Sequence, residues 1–145
     1  MAKKQHGVAA VEFAIVLPVL LLILFGIINF GVLMYNQAVI TNAAREGARW
    51  ASIHSSASVG TSCLNTYSAT PVDACQAAYS YASNGLISFG AVGTINLTVS
   101  KTPAPTDFNS GTPQSIQVTY AYTGIGWYFG GKNATYKSTS VMLHE

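Results

Sequence analysis

Few side chains in this chain can carry charge or do chemistry, and their placement sets the first questions. Between Glu12 and Arg45 there is no Asp, Glu, Lys or Arg. Glu12 therefore stands at the N-terminal edge of a long apolar run, where a carboxylate costs free energy unless a cation or hydrogen-bond donor meets it. Solvation at headgroup level is the plainer reading of such an acid, and a paired, functional carboxylate is the other. Cys63 and Cys75 lie beyond the run. A disulfide between them would close 13 residues counted inclusively, for which chain entropy gives about 3 kcal/mol; two separately buried thiols are the alternative. Hydrolytic chemistry finds little to work with. The carboxylates of the C-terminal part are Asp73, Asp107 and Glu145, His54 and His144 are far apart, and no nucleophile motif or phosphate loop is present. No catalytic residue is expected. No Cys-x-x-Cys or His/Cys spacing points to a metal, and no cofactor is expected.

The elements that must position these residues follow from composition. A chain of 145 residues has room for about one domain and an anchor. Half of its residues are hydrophobic and 8% are charged, a balance that favours lipid or protein contact over a freely soluble enzyme. The net charge of +2 is spread over Lys3, Lys4, Arg45, Arg49, Lys101, Lys132 and Lys137, so nucleic-acid binding has no electrostatic footprint. From Phe13 to Leu33 run 21 residues whose only polar side chain is Asn29. As a helix they span ~32 Å, enough for a bilayer core. A cleavable secretory signal has a shorter apolar region of roughly 7 to 15 residues, so this segment is expected to be retained. Lys3 and Lys4 precede the span, which predicts a cytoplasmic N-terminus and an exported C-terminal part by the positive-inside rule. Arg45 and Arg49 argue the other way, but they lie well beyond the span with Glu46 between them. On the exported side a disulfide would persist.

Helix-forming sequence continues past the span, with Ala38, Ile40, Ala44, Ala48 and Ala51 along a small apolar flank. One rod of about 45 residues is expected. Pro18 inside it removes a backbone donor and favours a kink or local unwinding. Gly26 and Gly31 are either ordinary small residues of a membrane helix or marks of a close helix contact.

Residues Gly7-Val8-Ala9-Ala10-Val11-Glu12-Phe13 resemble the prepilin-peptidase recognition pattern of Flp and Tad pilins: a short basic leader, a glycine, four residues, then Glu and an aromatic. The stretch from Val8 through Asn42-Ala43-Ala44-Arg45-Glu46-Gly47-Ala48-Arg49, with Pro18 and the Phe30-Gly31 pair, is similar to the N-terminal region of TadE-like minor pilins and covers roughly a third of the chain. The resemblance implies cleavage between Gly7 and Val8, a leader of residues 1–7, and Glu12 as the fifth residue of the mature chain. Cleavage would expose an α-amino group of pKa about 8, and Glu12 of a neighbouring subunit could pair with it to set the axial stagger of packed rods. The partners it implies are a major Flp-type pilin, other minor pilins, the prepilin peptidase, the inner-membrane assembly platform and the lipid bilayer. The location it implies is the bacterial inner membrane with a periplasmic head, and the extracellular pilus. Arg45, Glu46 and Arg49 read either as a solvated juxtamembrane helix or as contacts to a neighbouring pilin or to lipid headgroups.

The remainder, residues 57–145 after a rod of 8–56, predicts an exported head. Thr70-Pro71-Val72-Asp73 reads as a helix start with a Thr cap and Pro at the first position. Val72, Cys75, Ala78, Tyr79, Ala82 and Leu86 keep helical spacing up to an Asn84-Gly85 stop, and this helix is expected to pack on a sheet. Ile95, Leu97 and Val99, then Ile116, Val118, Tyr120 and Tyr122, alternate with polar residues as one-faced strands. Lys101 to Pro113 reads as a turn-rich connection, and a third strand is expected over 135–143. The fold class is α+β: a long N-terminal transmembrane helix continuing into a pilin-like head with a short helix and a three-stranded antiparallel sheet. The aromatic stretch Ile125 to Gly131 is either core or an exposed sticky loop. A head this large implies a minor rather than a major subunit within the resemblance. The competing function is an unprocessed single-span membrane protein with an extracytoplasmic binding head.

Overall fold

The computed structural model describes residues 6–54, 63, 65–88, 96–102, 111, 113–122 and 134–143. Helix α1 (His6–Ile53) is followed by α2 (Ala74–Gly85) and by strands β1 (Asn96–Thr102), β2 (Pro113–Tyr122) and β3 (Ala134–Leu143). The strands form one antiparallel sheet in the order β1-β2-β3. This is the expected α+β arrangement. The Ile125 to Gly131 stretch and the Gly130-Gly131 turn lie outside the described residues.

The apolar members of β2 all point one way because side chains alternate along a strand. Gln114, Ile116, Val118, Tyr120 and Tyr122 are buried, and in register Leu97 and Val99 of β1 flank Tyr120 and Val118. Tyr136 and Met142 of β3 complete that face. The face closes over the distal half of α1, whose Ile40, Ala43, Ala44, Ala48 and Ala51 are buried with Ala74, Cys75, Ala78 and Ala82 of α2. Burying Ile116 and Val118 fully is worth roughly 1.5–3 kcal/mol each. The core thus includes residues of the rod itself, and α2 packs chiefly on α1 and less on the sheet.

Small residues let the two helices approach. A Cβ on Gly47 would meet the Ala78 Cβ at 2.8 Å, the Ala74 carbonyl oxygen at 2.9 Å and Ile116 Cγ2 at 3.1 Å. No side chain larger than hydrogen fits that crossing. Ala38, expected on the apolar flank, is exposed, and Val39 and Ala43 take the inward positions. A helix of 3.6 residues per turn carries the stripe across neighbouring positions, and Asn36, buried below it, fixes its phase.

Three local expectations move. The start of α2 lies three residues later than the Thr-Pro pattern implies. Asp73 is the cap, accepting a hydrogen bond from the Gln76 backbone N–H at 2.6 Å. Gln76 in turn accepts from the Val72 N–H at 2.9 Å. An ionised carboxylate at the cap outcompetes the Thr70 hydroxyl for the free amides of the first turn. Ser68 and Thr70 instead close a local turn, with the Ser68 hydroxyl donating to the Thr70 carbonyl at 2.9 Å. Lys101, expected in the connection, lies in β1, where burial pulls its ammonium below the ordinary lysine range while nearby Asp73 opposes the shift. Pro113, expected to close that connection, opens β2 instead, opposite Leu143, a first-residue position that proline tolerates.

Candidate assembly and membrane interface

Helix α1 changes character along its length. From Val8 to Ile28 every residue is exposed except half-exposed Leu17. The helix is long and apolar enough to cross a membrane, with none of its most apolar window covered by the protein. Gly7, Val8, Glu12 and Phe13 lie together in its first turns, and all are exposed. Among the described residues Glu12 makes no ion pair. Helical backbone runs on through Pro18. Among the described residues, no atom lies within 4 Å of a Cβ position on Gly26 or Gly31, so neither serves a contact with them.

The change comes at Asn29. The Tyr122 hydroxyl, at the end of β2, donates to Asn29 Oδ1 at 3.0 Å. Two turns further on, Asn36 is completely buried. Its Nδ2 donates to the Ile87 carbonyl at 2.7 Å, and its Oδ1 accepts from the Ile87 N–H at 3.0 Å. The Tyr120 hydroxyl reaches the same carbonyl at 3.4 Å, and burial pushes that phenol above its ordinary pKa. Residues seven apart lie on one helix face, so Asn29 and Asn36 are a lower and an upper polar clamp between rod and head. Val32 and Leu33, which the sequence assigns to the span, pack between them against the core.

Above the clamps the Asn42–Arg49 run divides by face. Ala43, Ala44, Gly47 and Ala48 point inward, and Arg45 and Arg49 are exposed. The Arg49 guanidinium holds Glu46 with Nη2 at 2.7 Å and Nε at 3.1 Å. That hydrogen bonding keeps the Glu46 carboxyl below its ordinary pKa despite some opposing burial. The last turn stacks the Trp50 and His54 rings with centroids 4.2 Å apart. Cys63 and Cys75 form a disulfide, with Cα atoms 5.5 Å apart, tying α2 to the segment before it. Asn65 reaches from that segment to accept from the Val99 N–H at 2.6 Å.

One comparison with known proteins speaks to this geometry. Residues 7–49 match the family model described as TadE-like protein. Over those residues the rod is similar to TadE-like proteins. The match runs through the exposed apolar turns, both clamps and the small-residue face, and it stops where the helix meets Trp50. It associates the chain with the Tad pilus machinery and fits a membrane-anchored N-terminus. No curated protein and no solved structure matches.

This segment contains two positions that join rod to head and that reasoning from the sequence did not single out. Asn36 was legible only as a polar residue in a helix, and Asn29 only as the exception in an apolar run. Their seven-residue spacing was the available signal. Their partners, Ile87 and Tyr122, lie 51 and 93 residues away, beyond the reach of periodicity.

Proposed function

We propose that this chain is a minor pilin or pseudopilin of a Tad/Flp-type pilus, acting as a structural subunit or assembly initiator in surface attachment, not as an enzyme. The observation that carries this reading is a TadE-like match laid over an exposed apolar rod whose distal half is roofed by a folded head. Such a shape offers its free half first to lipid and then to other rods. The prepilin peptidase cuts between Gly7 and Val8, releasing Lys3 and Lys4 with the leader. Removal of Lys3 and Lys4 and creation of an amine four residues before Glu12 turn a net-positive rod end into one whose single amine and single carboxylate balance. The carboxylate of one subunit then pairs with the new amine of its neighbour, which lowers the cost of holding either charge at the edge of an apolar slab. Major Flp-type pilins, other minor pilins and the inner-membrane assembly platform are the partners, with the head on the periplasmic side.

Intact-mass analysis of protein from native membranes tests the first step. A chain beginning at Val8, dependent on Gly7 and the peptidase, is expected; retention of residues 1–7 defeats processing and favours the unprocessed single-span reading. Glu12→Ala is expected to be cleaved normally yet to enter sheared pili poorly. Normal incorporation of that variant would remove the pairing role and leave the cleavage site standing.

A further inference from the structure

Resting on the reading of α1 as a membrane anchor, we propose that the Tyr122–Asn29 hydrogen bond is a depth stop: it seats the head on the outer edge of a phospholipid bilayer, embeds Val8–Ile28, and draws Glu12 inside the inner edge. The apolar sequence alone runs from Phe13 to Leu33 and leaves Glu12 outside the core. The fold does not permit that placement. Val32 and Leu33 are packed under the head, and Asn29 is already bonded to the end of β2.

Hydrocarbon has no water to satisfy the backbone at the end of an open sheet, so the head cannot follow the helix downward. The upper clamp prevents the head from sliding up the rod, because Asn36 holds both backbone groups of Ile87. What remains below the stop from Phe13 to Ile28 is a helix of ~24 Å, short of a core of about 30 Å. Extending the embedded part to Val8 gives ~32 Å and closes the gap. Glu12 then lies ~6 Å inside the inner edge. On the outer side Phe30 and Tyr35 are exposed on the helix just above the stop, at the level where aromatic residues collect in membranes.

The test uses the full chain in phosphatidylcholine–phosphatidylglycerol vesicles, with the Cys63–Cys75 disulfide left oxidised and a water-soluble maleimide admitted to both sides. Single cysteines replace Glu12, Val16, Phe30 or Met34. Phe30→Cys and Met34→Cys are expected to react at least tenfold faster than Glu12→Cys and Val16→Cys. Adding Tyr122→Phe, or Asn29→Leu as an independent way to remove the bond, is expected to slow labelling at position 30 several-fold and to speed it at position 12. The stop is overturned if Phe30→Cys reacts as slowly as Val16→Cys, if Glu12→Cys reacts as fast as Met34→Cys, or if both clamp variants leave the rates unchanged. Labelling of Val16→Cys as fast as Met34→Cys defeats the membrane anchor and the stop together. None of these outcomes depends on processing or on pili, so the stop can fail while the pilin reading stands.

Discussion

The two halves of α1 are one continuous helix with one backbone geometry, yet they solve different problems. Val8–Ile28 is apolar apart from Glu12 and exposed along almost its whole length, whereas Asn36–Ile53 buries one narrow face of mostly Ala and Gly, with Asn36, Val39 and Ile40, against α2 and the sheet. A helix hydrophobic all round calls for lipid or other helices around it, and a helix with one small-residue stripe calls for one closely fitted partner. The head's apolar core is joined to the rod by close approach of two helices, and close approach is sensitive to single atoms.

The sharpest way to break the contrast is in the core the distal half shares with β2. Ile116→Ala should cost about 2–5 kcal/mol of head stability by opening a cavity, while Leu22→Ala in the free half should leave the head's unfolding transition where it is. Thermal or urea unfolding in detergent followed by near-UV dichroism reads both. Next in size is the helix crossing. Gly47→Ala should destabilise by about 1–3 kcal/mol through overpacking, because two of its three close neighbours are the Ala74 carbonyl and the Ala78 Cβ, which cannot swing aside. Gly26→Ala, with open space around it, should not destabilise in the same assay. An equal effect at the two glycines would erase the distinction between the halves.

The upper clamp gives a third comparison. Asn36→Ala removes the side-chain acceptor of the part-buried Ile87 N–H and leaves the Ile87 carbonyl only the longer Tyr120 contact, for which about 1–3 kcal/mol is the usual cost. Hydrogen exchange should show faster opening at Ile87 and the end of α2 than at β2. Equal acceleration everywhere would make the clamp part of the global core instead of a local fastening.

The smallest effect belongs to the outward face of the distal half. Glu46 has a folded-state pKa below its ordinary value because Arg49 hydrogen-bonds its charged form. Its contribution is therefore fully present above the ordinary carboxylate pKa and is lost as pH falls through the lowered one. Exposure and salt keep it slight. Glu46→Gln should be marginally less stable than the parent at pH 7, with the gap shrinking as pH falls through the lowered carboxylate pKa; a gap that widens on acidification would contradict the assigned cause.

Much of this was legible without coordinates because it depends on local pattern. Alternation in Ile116, Val118, Tyr120 and Tyr122 predicts the inward face of β2, which is the face observed buried. The third strand, expected over 135–143, is β3. Cys63 and Cys75, left open between a bond and two thiols, are bonded. Where pattern failed, a stronger competitor stood within a few residues. Asp73 displaced Thr70 as the cap because a charged acceptor satisfies helix amides better than a hydroxyl. In the Asn42–Arg49 run, Ala44 and Ala48 of the expected apolar flank are joined in the core by Ala43 and Gly47, while Arg45 and Arg49 turn to the surface.

What the sequence by itself determined is the division of solvents: an apolar helix of membrane length, an acid at its edge, a polar region of strands after it. These follow from composition and period, which any short window reveals. Only the tertiary structure decided where along the rod the head sits. That level is set by Tyr122 on Asn29 and by Ile87 on Asn36, contacts spanning 93 and 51 residues of chain. A hydrogen bond between distant residues leaves no periodic trace in either partner's neighbourhood, so the apolar run could be measured from the sequence while its usable length could not.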